Sequence, residues 1–157
     1  MPISKLWRMK SLYDSSAAEE IKHRLAAITP TSERLWGKMN AAQMLAHCCL
    51  NLETACGDNV QPRSFIGKLI GPLFKSEFSR DKLWRKNSPT VPAYIISEER
   101  DLNAERERLL LLIDRFQKGG PVACTQAPHA FFGKLSVEEW GKGMYKHLDH
   151  HLRQFNL

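Results

Sequence analysis

The chain has 157 residues, enough for one domain with a full hydrophobic core and too many to depend on disulfide or metal staples. Its 43% hydrophobic and 25% charged residues are those of a globular protein, and no apolar run approaches the ~18 residues of a membrane-spanning helix, which excludes that class. The net charge of +6 is concentrated between Pro62 and Lys86, where seven bases (Arg63, Lys68, Lys75, Arg80, Lys82, Arg85, Lys86) meet two acids (Glu77, Asp81), so this segment attracts anions.

Residues 1–10 read as an N-terminal extension to a single domain spanning 1–157. Lys5, Arg8 and Lys10 have no apolar stretch behind them, so no secretory signal is expected and the expected location is the cytoplasm. The first helix is predicted over about Ser16 to Thr29, capped by Ser15 or Ser16, with Ile21, Leu25 and Ile28 as its apolar stripe and Pro30 as its stop. A second begins at Asn40, which forms a capping box by spacing with Gln43, and Gly57 is placed to end it.

Residues 58–100 form a long basic connection. Within it Phe65 to Phe74 is apolar but contains Gly67, Gly71 and Pro72, which predicts one short, broken helix, since a structureless loop of this length is unusual in one domain. Asn87 to Ala93, with Pro89 and Pro92, is expected to be extended. A third long helix is predicted from Asp101 to Lys118, with Leu102, Leu109, Ile113 and Phe116 on one face and Gly119, Gly120 and Pro121 ending it. The last begins at Ser136, with Glu139 completing a second capping box and Trp140, Met144, His147, Leu148, His151 and Phe155 as its stripe. Little strand is expected. The fold class is therefore all-α: a four-helix bundle with one long crossover, whose ligand sites are built between facing helices.

Two features carry chemistry. His147 and His151, four residues apart, leave one helix face with Cβ atoms ~5–6 Å apart, so both rings can reach one ion. Leu148 occupies the position where the HExxH motif needs its glutamate, which excludes a protease of that type. His47 lies on the second helix in a polar line with Gln43 and Asn51, and a buried polar line costs free energy unless satisfied. The three histidines are the candidate metal ligands, with Gln43 and Asn51 as hydrogen-bonding support. His150 lies ~100° round the helix from His151 and is read as solvent-facing or at the mouth of the site. His129, His150 and Asp149 are the nearest candidates for a proton-transferring group. The cysteines, Cys48, Cys49, Cys56 and Cys124, include no CxxC pair, which excludes zinc-ribbon and thioredoxin motifs, and they are expected as small buried hydrophobes.

The run from Trp36 through Asn40, Gln43 and Leu45 to His47 resembles the first metal-histidine helix of the DinB superfamily. His147 to His151 followed by Gln154 is similar to its closing motif, and Pro128 to Trp140 resembles the turn leading into it. The resemblance covers nearly the whole chain and is closest to a branch known as a domain of unknown function. It implies an up-down-down-up bundle and a divalent ion, zinc or nickel, held by His47, His147 and His151. Gln43, Asn51, His129, His150 and Gln154 are the neighbouring pocket residues. It further implies a thiol-dependent transferase or a hydrolase acting on a small molecule, with a low-molecular-weight thiol as a second cofactor. The alternative is a non-catalytic metal- or ligand-binding stress-response protein. A homodimer is an expected assembly; nucleic acid and membrane are not expected partners.

Overall fold

The computed structural model describes residues 8–157. They form five α-helices, α1 (Ser15–Ala26), α2 (Ala41–Ala55), α3 (Phe65–Ser79), α4 (Leu102–Ala123) and α5 (Val137–Gln154), with one 3-10 turn at Pro92–Tyr94. Among the described residues there is no strand, only an isolated bridge between His129 and Gly133, and no helix is long and apolar enough to cross a membrane. Residues 1–7 of the expected N-terminal extension lie outside the described residues, whereas Met9 and Leu12 are in the core.

Local chemistry sets most helix ends. Both capping boxes form. Asn40 Oδ1 accepts from the Gln43 amide at 2.9 Å and Gln43 Oε1 from the Asn40 amide at 3.0 Å. Ser136 Oγ accepts from the Glu139 amide at 3.1 Å while Glu139 accepts from the Ser136 amide at 2.7 Å. Helix α2 closes through Gly57, whose φ of +85° suits a residue without Cβ. The Gly57 amide donates to the Thr54 carbonyl and the Asp58 amide to the Glu53 carbonyl, a Schellman pattern. At α1 the cap position belongs to Asp14, without a side-chain cap, and the helix ends at Ala26, earlier than its apolar stripe suggests.

Two expectations about breakers are corrected. The predicted short, broken segment in the connection is one helix, α3, of 15 residues with Pro72 inside it. Proline removes one helical hydrogen bond and crowds the residue before it, but that residue is Gly71, which has no Cβ to clash. At the far end of α4 the chain breaks at Gly120 (φ +57°), as expected from the Gly-Gly-Pro run, but Pro121 then starts another helical turn that continues to Ala123.

The core lies between α2 and α4, with α1 and α5 packed against them. Leu45, Leu52, Leu109, Ile113, Phe116, Ile21, Leu25, Met144 and Leu148 are buried in one cluster. Buried Asp149 on α5 is paired with Arg24 of α1 at 2.8 Å and with Arg153 at 2.7 Å, which satisfies a charge that would otherwise be costly there.

Helix α3 packs on α5 and the turn at 129–133 with an unusual polarity. Its inner face is Gly67, Gly71 and Phe78. A Cβ on either glycine would run into the Phe131 backbone, and one on Gly143 of α5 would enter the Phe78 ring. Its outer face is apolar, with Phe65 81%, Leu69 72% and Leu73 77% exposed. The buried ammonium of Lys146 secures the C-terminal end, donating to the carbonyls of Glu77 at 2.7 Å and Arg80 at 3.2 Å. Burial lowers its pKa to about 8, so it remains charged at neutral pH and complements the negative end of the helix.

Candidate metal centre

His47 projects from the middle of α2, and His147 and His151 from the inward face of α5, where i, i+4 spacing stacks them. All three are buried. Their ring centroids are 5.0 Å (His47–His147), 4.7 Å (His47–His151) and 4.7 Å (His147–His151) apart. Taking one ring nitrogen from each, the three atoms lie within 4.8 Å of one another, a group that could hold a metal ion.

The surrounding hydrogen bonds orient these rings. His47 Nδ1 is 2.7 Å from the carbonyl oxygen of Tyr94, which only accepts, so Nδ1 carries the proton and Nε2 presents a lone pair. Gln154 donates through Nε2 to the Trp36 carbonyl at 2.7 Å, which turns its Oε1 toward His151 Nδ1 at 3.0 Å. His151 Nδ1 therefore donates, and its Nε2 is also a lone pair. This is the outer arrangement that metal-bound imidazoles use to fix tautomer and orientation.

His147 completes the test of fit. Its Nε2 is 3.0 Å from His47 Nε2, while its Nδ1 is buried with no hydrogen-bond partner. Two lone pairs facing each other at this distance need a proton or a cation between them. A proton on His147 Nε2, donated to His47 Nε2, or a cation shared by the two nitrogens relieves this opposition; Nδ1 stays unpaired either way, as an acceptor in the first case and as an N–H in the second. Nitrogens bound to one ion at ~2.0–2.1 Å stand about 3 Å apart, close to the separation of this pair. Burial is the main cause that holds all three histidines below the ordinary pKa, well below for His147 and His151. They are neutral at pH 7, the form that ligates. No carboxylate belongs to the group among the described residues, so an ion here would keep its double charge and open coordination positions.

The other candidates are dispersed. Gln154 reaches His151 as described, but Gln43 does not reach the histidines: its amide serves the capping box and donates to the Ser97 and Glu98 carbonyls at 3.2 Å each. Asn51 donates to the backbone carbonyl of His47 at 3.0 Å, one turn back on its own helix. Asp149 is engaged by two arginines. His150 is half-buried beside the cluster, its ring centroid 5.3 Å from His151, 5.7 Å from Trp36 and 5.6 Å from Trp84. Trp84 also stands edge-on to His147 at 5.8 Å, and the Lys86 ammonium lies 4.7 Å over the Trp36 ring, so two tryptophans and a lysine form the rim. Cys48 and Cys49 point elsewhere, to Met44 Sδ at 3.8 Å and the Glu105 carbonyl at 3.6 Å. Burial raises both thiols, Cys49 to about 12. Trp84 and the Tyr94 carbonyl are not among the residues the sequence singles out: Trp84 lies in the long basic connection with no motif around it, and a backbone oxygen leaves no signal.

His129 is separate from the three. Its Nδ1 accepts from the amides of Phe131 at 3.1 Å and Phe132 at 3.2 Å, holding the turn on which α3 rests. Burial, with a smaller push from the Arg63 charge, lowers its pKa from 6.5 to about 4. The folded value lies below the unfolded one, so the unfolded chain takes the proton first. Stability is full above about pH 6.5 and falls as pH drops towards about 4, by up to about 3 kcal/mol from this residue. His129→Asn, whose Oδ1 can accept from the same amides without titrating, is expected to flatten the fall. Urea midpoints at pH 6.5 and 4.5 measure it, and an unchanged slope in the variant would refute the assignment.

Residues 8–157 match a family described as a protein of unknown function, DUF1569. No curated protein and no solved structure matches the chain.

Proposed function

The chain belongs to the DUF1569 family, and we propose that it is a divalent-metal-dependent enzyme of the DinB type, a thiol-dependent transferase or a hydrolase acting on a small electrophilic molecule. The observation that carries this reading is the three-histidine group, with the tautomers of His47 and His151 set by outside partners and the Nε2 atoms of His47 and His147 facing each other at 3.0 Å. The DUF1569 family stands within the DinB-like clan, which supports both the ligand assignment and the up-down-down-up bundle, with α3 added in the crossover.

In this reading His47, His147 and His151 hold zinc or nickel, and Gln154 and the Tyr94 carbonyl orient them. The ion supplies Lewis acidity, which activates a thiol or water near neutral pH. With Asp149 held by arginines and His129 by two amides, His150 is the remaining imidazole beside the cluster, and it moves the proton. Its pKa lies below the ordinary value, chiefly through burial, which leaves it neutral and able to accept. Trp36 and Trp84 cover the reacting centre with apolar surface, and Lys86 at the rim favours an anionic substrate or a thiol bearing carboxylates. The apolar outer face of α3 is the surface on which a homodimer forms.

The test is turnover. Protein loaded with zinc or nickel is mixed with a panel of electrophiles and low-molecular-weight thiols, and thiol consumption is followed. Activity in the loaded protein that falls at least about 100-fold in His150→Gln with metal content unchanged supports the reading. Full activity in His150→Gln removes the proton-transfer role. Loaded protein that turns over neither thiol additions nor hydrolysable esters and amides leaves the non-catalytic binding protein as the better account.

A further inference from the structure

Cys56 and Cys124 are distant in sequence and meet in the fold. Cys56 is the C-cap residue that follows α2, just before the Gly57 turn, and Cys124 follows the final turn of α4, beyond the break at Gly120. The two backbones are pinned on each side of the pair. The Thr125 amide donates to the Ala55 carbonyl at 2.6 Å, one residue from each cysteine, and Arg115 of α4 donates to the Cys56 carbonyl at 3.3 Å. Both thiols are buried, and their sulfurs are 2.9 Å apart. That is inside the about 3.5–4.0 Å at which unbonded heavy atoms rest, and about 1 Å from a disulfide bond length.

We propose that Cys56 and Cys124 are a dithiol pair that a peroxide converts to a disulfide, tying the end of α2 to the end of α4. The pair is remote in role from the histidine group, and the proposal stands whether or not that group binds metal. Cys56, 6% exposed against 1% for Cys124, is the sulfur a small oxidant reaches. Burial raises the Cys56 thiol, so its sulfur attacks one oxygen of hydrogen peroxide as the thiol gives up its proton. The O–O bond breaks, a sulfenic acid forms on Cys56, and the departing hydroxide leaves as water with the thiol proton. Cys124 sulfur then attacks Cys56 sulfur, and the hydroxyl leaves with the Cys124 proton as a second water. Two thiols lose two electrons and one peroxide gains them. Cys48 and Cys49 have no such partner, because their sulfurs face Met44 and the Glu105 carbonyl.

The experiment treats reduced full-length protein with hydrogen peroxide, unfolds it in an alkylating agent, and maps the peptides. The expected result is a peptide cross-linked through Cys56 and Cys124, with Cys48 and Cys49 alkylated. The thermal midpoint should rise by roughly 5–15 °C, with both changes reversed by a thiol reductant. In Cys124→Ala the cross-link is lost and the Cys56 sulfenic acid becomes trappable by a dione probe. Four alkylated cysteines in the treated wild type would overturn the proposal. So would over-oxidised Cys56 without a cross-link, or a bridge through Cys48 or Cys49.

Discussion

Replacing His147 with alanine is expected to abolish metal binding and the stability that metal adds. His147 is the ring with no second role: its Nδ1 has no partner, and its Nε2 faces only the cluster. Loss of an outer partner of a ligand typically weakens metal binding about 10–100-fold, so loss of a ligand itself should exceed that range. An ion that binds the folded chain alone, at about 1,000 times its dissociation constant, stabilises by about 4 kcal/mol, or on the order of 10 °C in a chain of this size. That increment should be present in the wild type and absent in His147→Ala. Without metal the two proteins should differ little, because removing the unpartnered nitrogen offsets part of the cavity cost. Thermal unfolding with and without zinc, in both proteins, measures this. An equal metal increment in both would refute the role of His147. His23, which lies outside the histidine group, serves as the control in His23→Ala.

Gly71→Ala should destabilise the fold by about 2–3 kcal/mol or more, although the same change inside most helices is favourable by up to about 1 kcal/mol. The sign is the diagnostic part. A Cβ at Gly71 would meet the Phe131 carbonyl oxygen, and backbone cannot move aside as a flexible side chain can. The collision pushes α3 off the 129–133 turn and weakens its packing on α5. Ser76→Ala, on the exposed side of the same helix, should be within about 0.5 kcal/mol of the wild type. Urea denaturation monitored by circular dichroism gives both values. A Gly71→Ala protein at least as stable as the wild type would show that α3 does not sit on that turn.

The elements readable from the sequence were those governed by local chemistry. Asn40 with Gln43 and Ser136 with Glu139 declare helix starts because each pair satisfies its own orphan amides, without help from the rest of the fold. Gly57 and Gly120 declare ends because both adopt positive φ. The all-helical class followed from these signals and from the apolar stripes. The length of α3 did not, because Gly67, Gly71 and Pro72 read as breakers. Their small volumes instead let the helix lie directly on the Phe131 backbone, a tertiary fact. The same distinction holds at the histidines. His147 and His151 are a readable pair because helical spacing fixes their relation, whereas bringing His47 to them depends on how α2 and α5 pack. Gln43 was read as support for His47 from helical spacing alone, but its capping bonds and the Ser97 and Glu98 carbonyls claim it first. The group that does orient His47 is a carbonyl 47 residues away, invisible to any pattern of side chains. Likewise Cys56 and Cys124 are 68 residues apart in sequence, and only the packing of α4 against α2 brings their sulfurs together.

The central claim is an ion bound by His47, His147 and His151. X-ray absorption on untagged protein, loaded with zinc or nickel and freed of excess ion, tests it most directly. The account predicts about one ion per chain, with imidazole nitrogens at about 2.0–2.1 Å and the remaining positions filled by light oxygen or nitrogen atoms. A sulfur shell at about 2.3 Å, an all-oxygen shell, or no retained ion would contradict it.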